Sequence, residues 1–231
     1  MKVGARPLIL LAFVIAVVFI RLGFWQLSRL HERQAVNAGL ASRVVASAVP
    51  ISRLPTDTAK AHYRRVSAQG AYDYANEIVL TLRSRNGSPG VNIVTPLRVA
   101  QTDTALLVVR GWVYSPNGMT VDLTKWREGP QVNGSGFVET YPPAREGHNI
   151  SPTHPNAYRW LDRQELEKRF RYPLKPYYVV LTSAPDDTTK DTPPRLIVPP
   201  MDEGPHRSYA IQWFSFAAIS IIGMTLFLKR K

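Results

Sequence analysis

With 231 residues, 45% of them hydrophobic and 20% charged, the chain can build one domain with a substantial core besides two membrane segments, and its composition excludes a disordered polymer. The formal net charge of +12 invites a nucleic-acid partner, but the basic residues are scattered and no run of Lys and Arg forms a phosphate-binding stripe, so anionic lipid rather than nucleic acid is the expected partner. Cysteine is absent, which removes disulfides, thiolate zinc sites, iron–sulfur clusters, thiol redox chemistry and thiolate copper delivery.

Lys2 and Arg6 precede an apolar run from Pro7 to Ile20 that extends through Leu22, Gly23, Phe24 and Trp25. A cleaved secretory signal shares the basic start and apolar middle, but no small-x-small site follows Ile20. The sequence therefore predicts an uncleaved membrane helix over 7–25, with Arg21 snorkelling to the interface. Leu30, Val36, Leu40 and Val44, spaced among polar residues, extend that helix out of the membrane until Pro50 and Pro55 stop it.

Short β-branched and aromatic runs follow, at Arg64 to Tyr72, Glu77 to Leu82, Val91 to Val99, Ala105 to Val113, Gly136 to Tyr141, Tyr177 to Thr182 and Leu196 to Val198. Turn residues such as Asn86-Gly87-Ser88-Pro89-Gly90 and Pro116-Asn117-Gly118 separate them, which predicts an antiparallel β sandwich or barrel-like domain. At Arg110-Gly111-Trp112 a glycine bulge is expected to turn Trp112 into the core. One short helix is expected over Arg163 to Phe170, with Asp162 as N-cap, Glu165 closing a capping box and Leu161 stapling onto Leu166. Ser183 to Pro194, rich in Asp, Thr and Pro, reads as a loop.

The last thirty residues run from the corner Asp202-Glu203-Gly204-Pro205 through His206, Arg207, Ser208 and Tyr209 into the apolar stretch Ala210 to Leu228. That stretch can cross roughly 30 Å of hydrocarbon at about 1.5 Å per residue, with Pro205 as its first helical residue. The expected layout is a cytoplasmic segment 1–6, a membrane helix 7–25, an extracytoplasmic domain 26–205, a second membrane helix 206–228 and a basic cytoplasmic end 229–231. Lys2, Arg6 and the terminal Lys-Arg-Lys favour this orientation, while Arg21, Arg29 and Arg33 pull against it. The fold class is thus membrane-anchored and mainly β, two transmembrane helices flanking the β domain.

On a 3.6-residue period His206, Tyr209, Ala210 and Trp213 share one face within about 10 Å of axial rise, a face that fits a flat aromatic ligand. The positive end of a helix dipole suits a neutral imidazole able to give a lone pair to iron. Interfacial Tyr and Trp with a solvated His form the plainer alternative. His148 and His154, with Glu146, lie in a Pro-containing loop whose spacing argues only weakly for metal, and His31 and His62 have less support. No Gly-x-Ser-x-Gly elbow, His-Glu-x-x-His or phosphate-binding Gly loop is present, and Gly134-Ser135-Gly136 is too short for the first.

Several blocks together resemble the Surfeit-locus (Surf-type) cytochrome c oxidase assembly family: Leu22-Gly23-Phe24-Trp25-Gln26-Leu27-Ser28-Arg29, Tyr63-Arg64-Arg65-Val66 with Gly70 and Tyr72, Gly90 with Thr95-Pro96-Leu97, Val109-Arg110-Gly111-Trp112-Val113, and His206 followed by Ser208 to Phe214. The resemblance implies a non-enzymatic assembly factor in the bacterial plasma (inner) membrane that holds haem a and helps place it in the oxidase catalytic subunit. The implied partners are that subunit, haem a synthase and the lipid bilayer. It implies His206 as the axial ligand of haem iron; Tyr209 and Trp213 are candidate walls, or helix-packing residues, and Arg21, Arg29 and Arg207, near the membrane surface, are candidate partners of the propionates or of lipid phosphate. A scaffold that never binds haem, or a membrane-anchored hydrolase, is the alternative. The chain departs from the family pattern where many members have Asn-x-His-Leu and it has Gly204-Pro205-His206-Arg207, and at Gln212-Trp213, where they have Thr-Trp.

Overall fold

A computed structural model describes residues 5–99, 102–129, 131–143, 145–183 and 193–229, of which 5, 6, 132 and 133 are described in backbone only. The chain divides into two compact units, one of residues 1–39 with 200–231 and one of residues 40–199.

In the first unit, α1 begins the helix Ala5–Val45 and α4 is His206–Lys229. Both are long and apolar enough to cross a membrane. The expected continuation of the first helix beyond the apolar run is present, and α4 starts at His206, where the expected layout begins the second membrane helix, with Pro205 just before it and its carbonyl accepting from the Tyr209 N–H. The two helices meet along small residues: Ala16, Gly23, Ala210 and Ala217 are buried. Small side chains let two backbones approach where lipid offers no hydrophobic drive for association. A Cβ on Gly23 would lie 2.6 Å from the Phe214 ring, so glycine there makes room for an aromatic that stacks edge-on to Phe24. Outward faces carry exposed Leu10, Phe13, Ile211 and Ile222.

The second unit is a mixed eight-stranded sheet: β1 Val49–Pro50, β2 Arg65–Tyr72, β3 Ile78–Arg85, β4 Ser88–Arg98, β5 Ala105–Tyr114, β6 Gln131–Thr140, β7 Ala157–Tyr158 and β8 Tyr177–Leu181. The strand order is β1-β2-β6-β8-β5-β4-β3-β7, and β2 also pairs with the far end of β4 through Ala71↔Arg98 and Tyr72↔Leu97. Strands β2, β6, β8, β5 and β4 therefore close a ring, with β1, β3 and β7 added at its margins. Closure removes edges that would otherwise template aggregation.

Period-2 alternation divides the core. Leu106 and Val108 of β5 join Val66, Ala68 and Leu181 in one cluster, while Leu107 and Val109 join Leu161, Leu166 and Phe170 in another beneath α3 (Arg163–Phe170). A strand buried on both faces reads as a continuous apolar run, which is why Ala105 to Val109 shows no polar alternation. The β3–β4 hairpin turns at Asn86 and Gly87, both at positive φ (51° and 77°), the two-residue turn whose twist matches the flanking strands.

Three strand expectations change. Strand β8 runs parallel to β5, as β1 does to β2 and β7 to β3, so the sheet is mixed; strand direction is set by the path through α3, which leaves no local mark on the sequence. Residues 196–198 make a single bridge, Leu196 to Thr182, because the prolines on either side remove ladder donors. Strand β6 begins five residues earlier than the expected start at Gly136, and Gly134 and Gly136 are both strand residues, packed against Leu181 and the Val180 carbonyl.

Helix α3 has the expected bounds. Asp162 Oδ1 accepts from the Glu165 N–H at 3.0 Å, and Leu161 and Leu166 share a cluster. The Glu165 carboxylate instead accepts from Asn149 at 2.5 Å, and Arg171 in the left-handed region ends the helix before Tyr172-Pro173. The sequence pattern missed α2 (Thr58–Ala61), capped by Asp57. The expected loop at 183–194 falls largely outside the described residues.

Candidate functional site

At the entry to α4 the corner Asp202-Glu203-Gly204 is clasped by the polar extension of α1. Arg33 Nε and Asn37 Nδ2 both donate to the Asp202 carbonyl at 3.1 Å, and Gln34 donates to the Glu203 carboxylate at 3.0 Å. The Gly204 N–H closes back onto Asp202 Oδ1 at 2.8 Å, with Gly204 at φ +72°. A cleft of about 380 Å³ opens here, lined by Arg29, Glu32, Arg33, Val36, Asp202, Glu203, Gly204 and His206, so that its wall carries both signs of charge and one apolar side chain. Its volume lies in the range of small-molecule sites.

His206 is half-buried at the edge of this cleft. Its Nδ1 sits 2.8 Å from the amide oxygen of Gln26, a buried residue of α1. No hydrogen bond reaches Nε2 among the described residues, and that nitrogen lies on the Gly204 side of the ring. A Cβ at 204 would stand 3.5 Å from Nε2 and 3.4 Å from the adjacent ring carbon, so the glycine keeps this edge clear.

The expected ligand-binding residues are not all brought together. Trp213 faces α1, its ring 5.6 Å from that of Phe19 and stacked at 30°, and it also packs on Phe216 at 6.0 Å. Tyr209 is exposed and outside the cleft lining, as is Arg207. Arg21 lies exposed in a separate, mostly apolar groove with Val18, Leu22, Phe24 and Trp25. Two residues not singled out for this site, Gln26 and Gly204, frame the imidazole instead. Gln26 lies within the Leu22 to Arg29 block, and Gly204 lies in the corner before α4. Arg29 is tied to Glu32 at 2.6 Å on the surface, whereas Arg33 makes no ion pair among the described residues.

A second polar cluster lies in the β unit and overturns the expectation for Trp112. The bulge is there, but the residue it inserts is Arg110: Ile93 pairs with Gly111 and Val94 with Val109, leaving Arg110 unpaired and wholly buried. Its guanidinium meets Glu77 at 2.5 Å and Glu128 at 2.9 Å, donates to the Trp126 carbonyl, and lies over the rings of Tyr72 and Tyr74. Arg195 completes the set, 2.5 Å from the second Glu128 oxygen. Trp112 stays half-buried above Gly90, where no Cβ would fit.

Burial pushes Glu77 above the ordinary carboxylate range despite opposing bonds from Thr95 and Arg110. Burial also pushes Glu128 upward, but hydrogen bonding and charge from Arg195, joined by Arg110, outweigh it and hold that carboxyl low. The guanidinium groups and Glu128 are spent on each other, while Glu77 Oε2 and the Tyr72 hydroxyl are buried without a hydrogen-bond partner among the described residues. Among the described residues no grouping of three His, Asp or Glu could hold a metal ion; His62 bonds Glu139 at 2.8 Å and His154 bonds Thr153.

Order and geometry define the class first: an apolar helix, a closed β-barrel unit and a second apolar helix, with one histidine held by a glutamine where the helices meet. A family model described as the SURF1 family matches residues 13–218, and the chain belongs to that family. Over 96% of both chains it is 25% identical to a SURF1-like protein of Rickettsia felis. It is 26% identical to a SURF1-like protein of Monosiga brevicollis over 94% of this chain and 85% of that one. Surfeit locus protein 1 of Homo sapiens is 29% identical over 43% of this chain and 38% of its own length.

Proposed function

We propose that this chain is a two-span membrane assembly factor for haem-copper cytochrome c oxidase that holds haem a at His206 and helps place it in the catalytic subunit. The observation that carries the reading is the His206 ring, with Nδ1 engaged by Gln26 and Nε2 free beside Gly204 at the cleft edge. Membership of the SURF1 family supports the oxidase context.

Haem a, when bound, would supply an iron able to accept an imidazole lone pair. His206 would hold it through Nε2, beside Gly204, which carries no side chain over that edge of the ring. Arg33, in a cleft wall shared with Glu32, Asp202 and Glu203 but with no ion pair of its own among the described residues, would be the cation offered to a propionate. A single imidazole at a cleft open to one side holds its ligand reversibly, as cargo requires. Trp213 and Tyr209 contribute by packing and by the interfacial position of α4 rather than by lining the cleft. Oxidase catalytic subunit and haem a synthase are the protein partners of this reading.

Both long helices cross the bacterial plasma membrane with exposed Leu10, Phe13, Ile211 and Ile222 toward lipid and the β unit outside the cytoplasm. A reporter active only in the periplasm is silent when fused after Lys231 and active when inserted at Asp187; the reverse pattern refutes this orientation.

The test of function is the visible spectrum of detergent-purified protein from cells making haem a, wild type beside His206→Ala. A Soret band in the wild type, lost or shifted in the variant, is expected. Absence of haem from both, while oxidase assembly still depends on the protein, replaces the carrier with a haem-free scaffold.

A further inference from the structure

Resting on the haem reading above, we infer that Gln26 is a positioning residue for His206: its amide oxygen fixes the ring proton on Nδ1 and so presents the Nε2 lone pair to a metal porphyrin. The argument begins with what surrounds Gln26. It is 8% exposed and sits on a seam of small and apolar residues, among them Ala16, Gly23, Leu30 and Ala210. A buried amide there costs free energy unless it is hydrogen-bonded. Among the described residues, its bond to His206 is the only side-chain hydrogen bond joining α1 to α4.

The structure turns the amide oxygen of Gln26, not its nitrogen, toward the ring; an amide oxygen accepts and cannot donate, so in this arrangement the attraction at 2.8 Å puts the proton on Nδ1. In a neutral imidazole the other nitrogen then carries the lone pair. Metal-binding histidines are commonly oriented in this way, by donating their second N–H to a fixed acceptor. A leucine at 26 would pack equally well on an apolar seam and would leave both tautomers available. Purely structural stitching of the helices predicts a loss of stability on substitution but makes no demand on which nitrogen bears the proton.

The experiment uses full-length protein in detergent with ¹⁵N-labelled histidine, free of haem, at about pH 8 where an ordinary histidine is neutral. Long-range ¹H–¹⁵N correlation, with the His206 signal identified by its absence in His206→Gln, reads the tautomer directly. The wild type is expected to carry the proton on Nδ1, and Gln26→Leu to show a mixture. A wild-type proton on Nε2, or an unchanged tautomer in Gln26→Leu, overturns the inference.

Titration with haemin then measures consequence. Gln26→Leu is expected to bind about 10- to 100-fold more weakly, and Gln26→Glu, which keeps an acceptor, to restore affinity to within a few-fold of wild type by the same reasoning. Equal affinity in Gln26→Leu and wild type overturns the positioning role. If the wild type takes up no haemin, the haem reading fails by itself, and the tautomer measurement still decides whether Gln26 sets the ring.

Discussion

The two units bury polar groups in opposite ways. In the β unit Arg110 is saturated: two carboxylates, a backbone carbonyl and two aromatic faces use every side of its guanidinium, and Arg195 takes the remaining oxygen of Glu128. In the helix pair His206 is half-used, one nitrogen bonded and the other beside a glycine and a cleft. The cation has no valence left for a ligand, although Glu77 Oε2 and the Tyr72 hydroxyl beside it are buried without a partner among the described residues; the half-used imidazole, held by a buried neighbour, keeps one nitrogen at a cleft. The difference distinguishes a buried cation held on all sides by the fold from an imidazole with one nitrogen still to offer.

Breaking the saturated side should give the larger stability effect. Arg110→Met removes the buried cation and leaves Glu77 without its partner, a change that costs about 3–5 kcal/mol when one member of a buried pair is lost. Urea unfolding of the full chain in detergent, followed by tryptophan fluorescence, should show this as a lower midpoint. The double variant Arg110→Met with Glu77→Gln should recover part of the loss, because Glu128 keeps Arg195 and no anion is stranded. An Arg110→Met midpoint equal to wild type would show that the network is incidental to the barrel.

The contrast also explains what could be read in advance. Bounds of α3, most strands and the continuation of α1 follow from patterns within a few residues: a cap, an apolar period, a turn dipeptide. Arg110 was hidden because its partners lie 33 and 18 residues away, and an Arg-Gly-Trp triplet looks like a place for the indole to enter the core. Gln26 was hidden more deeply, 180 residues from the imidazole it holds, inside a block that reads as membrane anchor. Periodicity correctly put His206 and Trp213 toward one side of α4. It could not say that Tyr209, one turn on from His206, would be exposed, because the angular width of a helix–helix contact is set by the partner. At α1 that partner is narrow: small residues admit Ala210 and Ala217 and leave residue 209 outside.

The half-used side is tested more gently through Gly23, one turn before Gln26. Its missing side chain is what admits the Phe214 ring, which a Cβ would meet at 2.6 Å. Gly23→Leu overfills the seam, at a cost of about 1–3 kcal/mol for an inserted side chain in a packed core. The strain falls on the α1–α4 contact that holds the His206–Gln26 bond, while the saturated network of the β unit makes none of its contacts through Gly23. The expected outcome is therefore asymmetric: a weaker Soret band from haem-producing cells with an unchanged unfolding midpoint for the β unit, the opposite signature to Arg110→Met. Equal losses in both readouts would mean that the two units share one cooperative transition, and the distinction between saturated and half-used polar groups would then have to rest on the histidine tautomer alone.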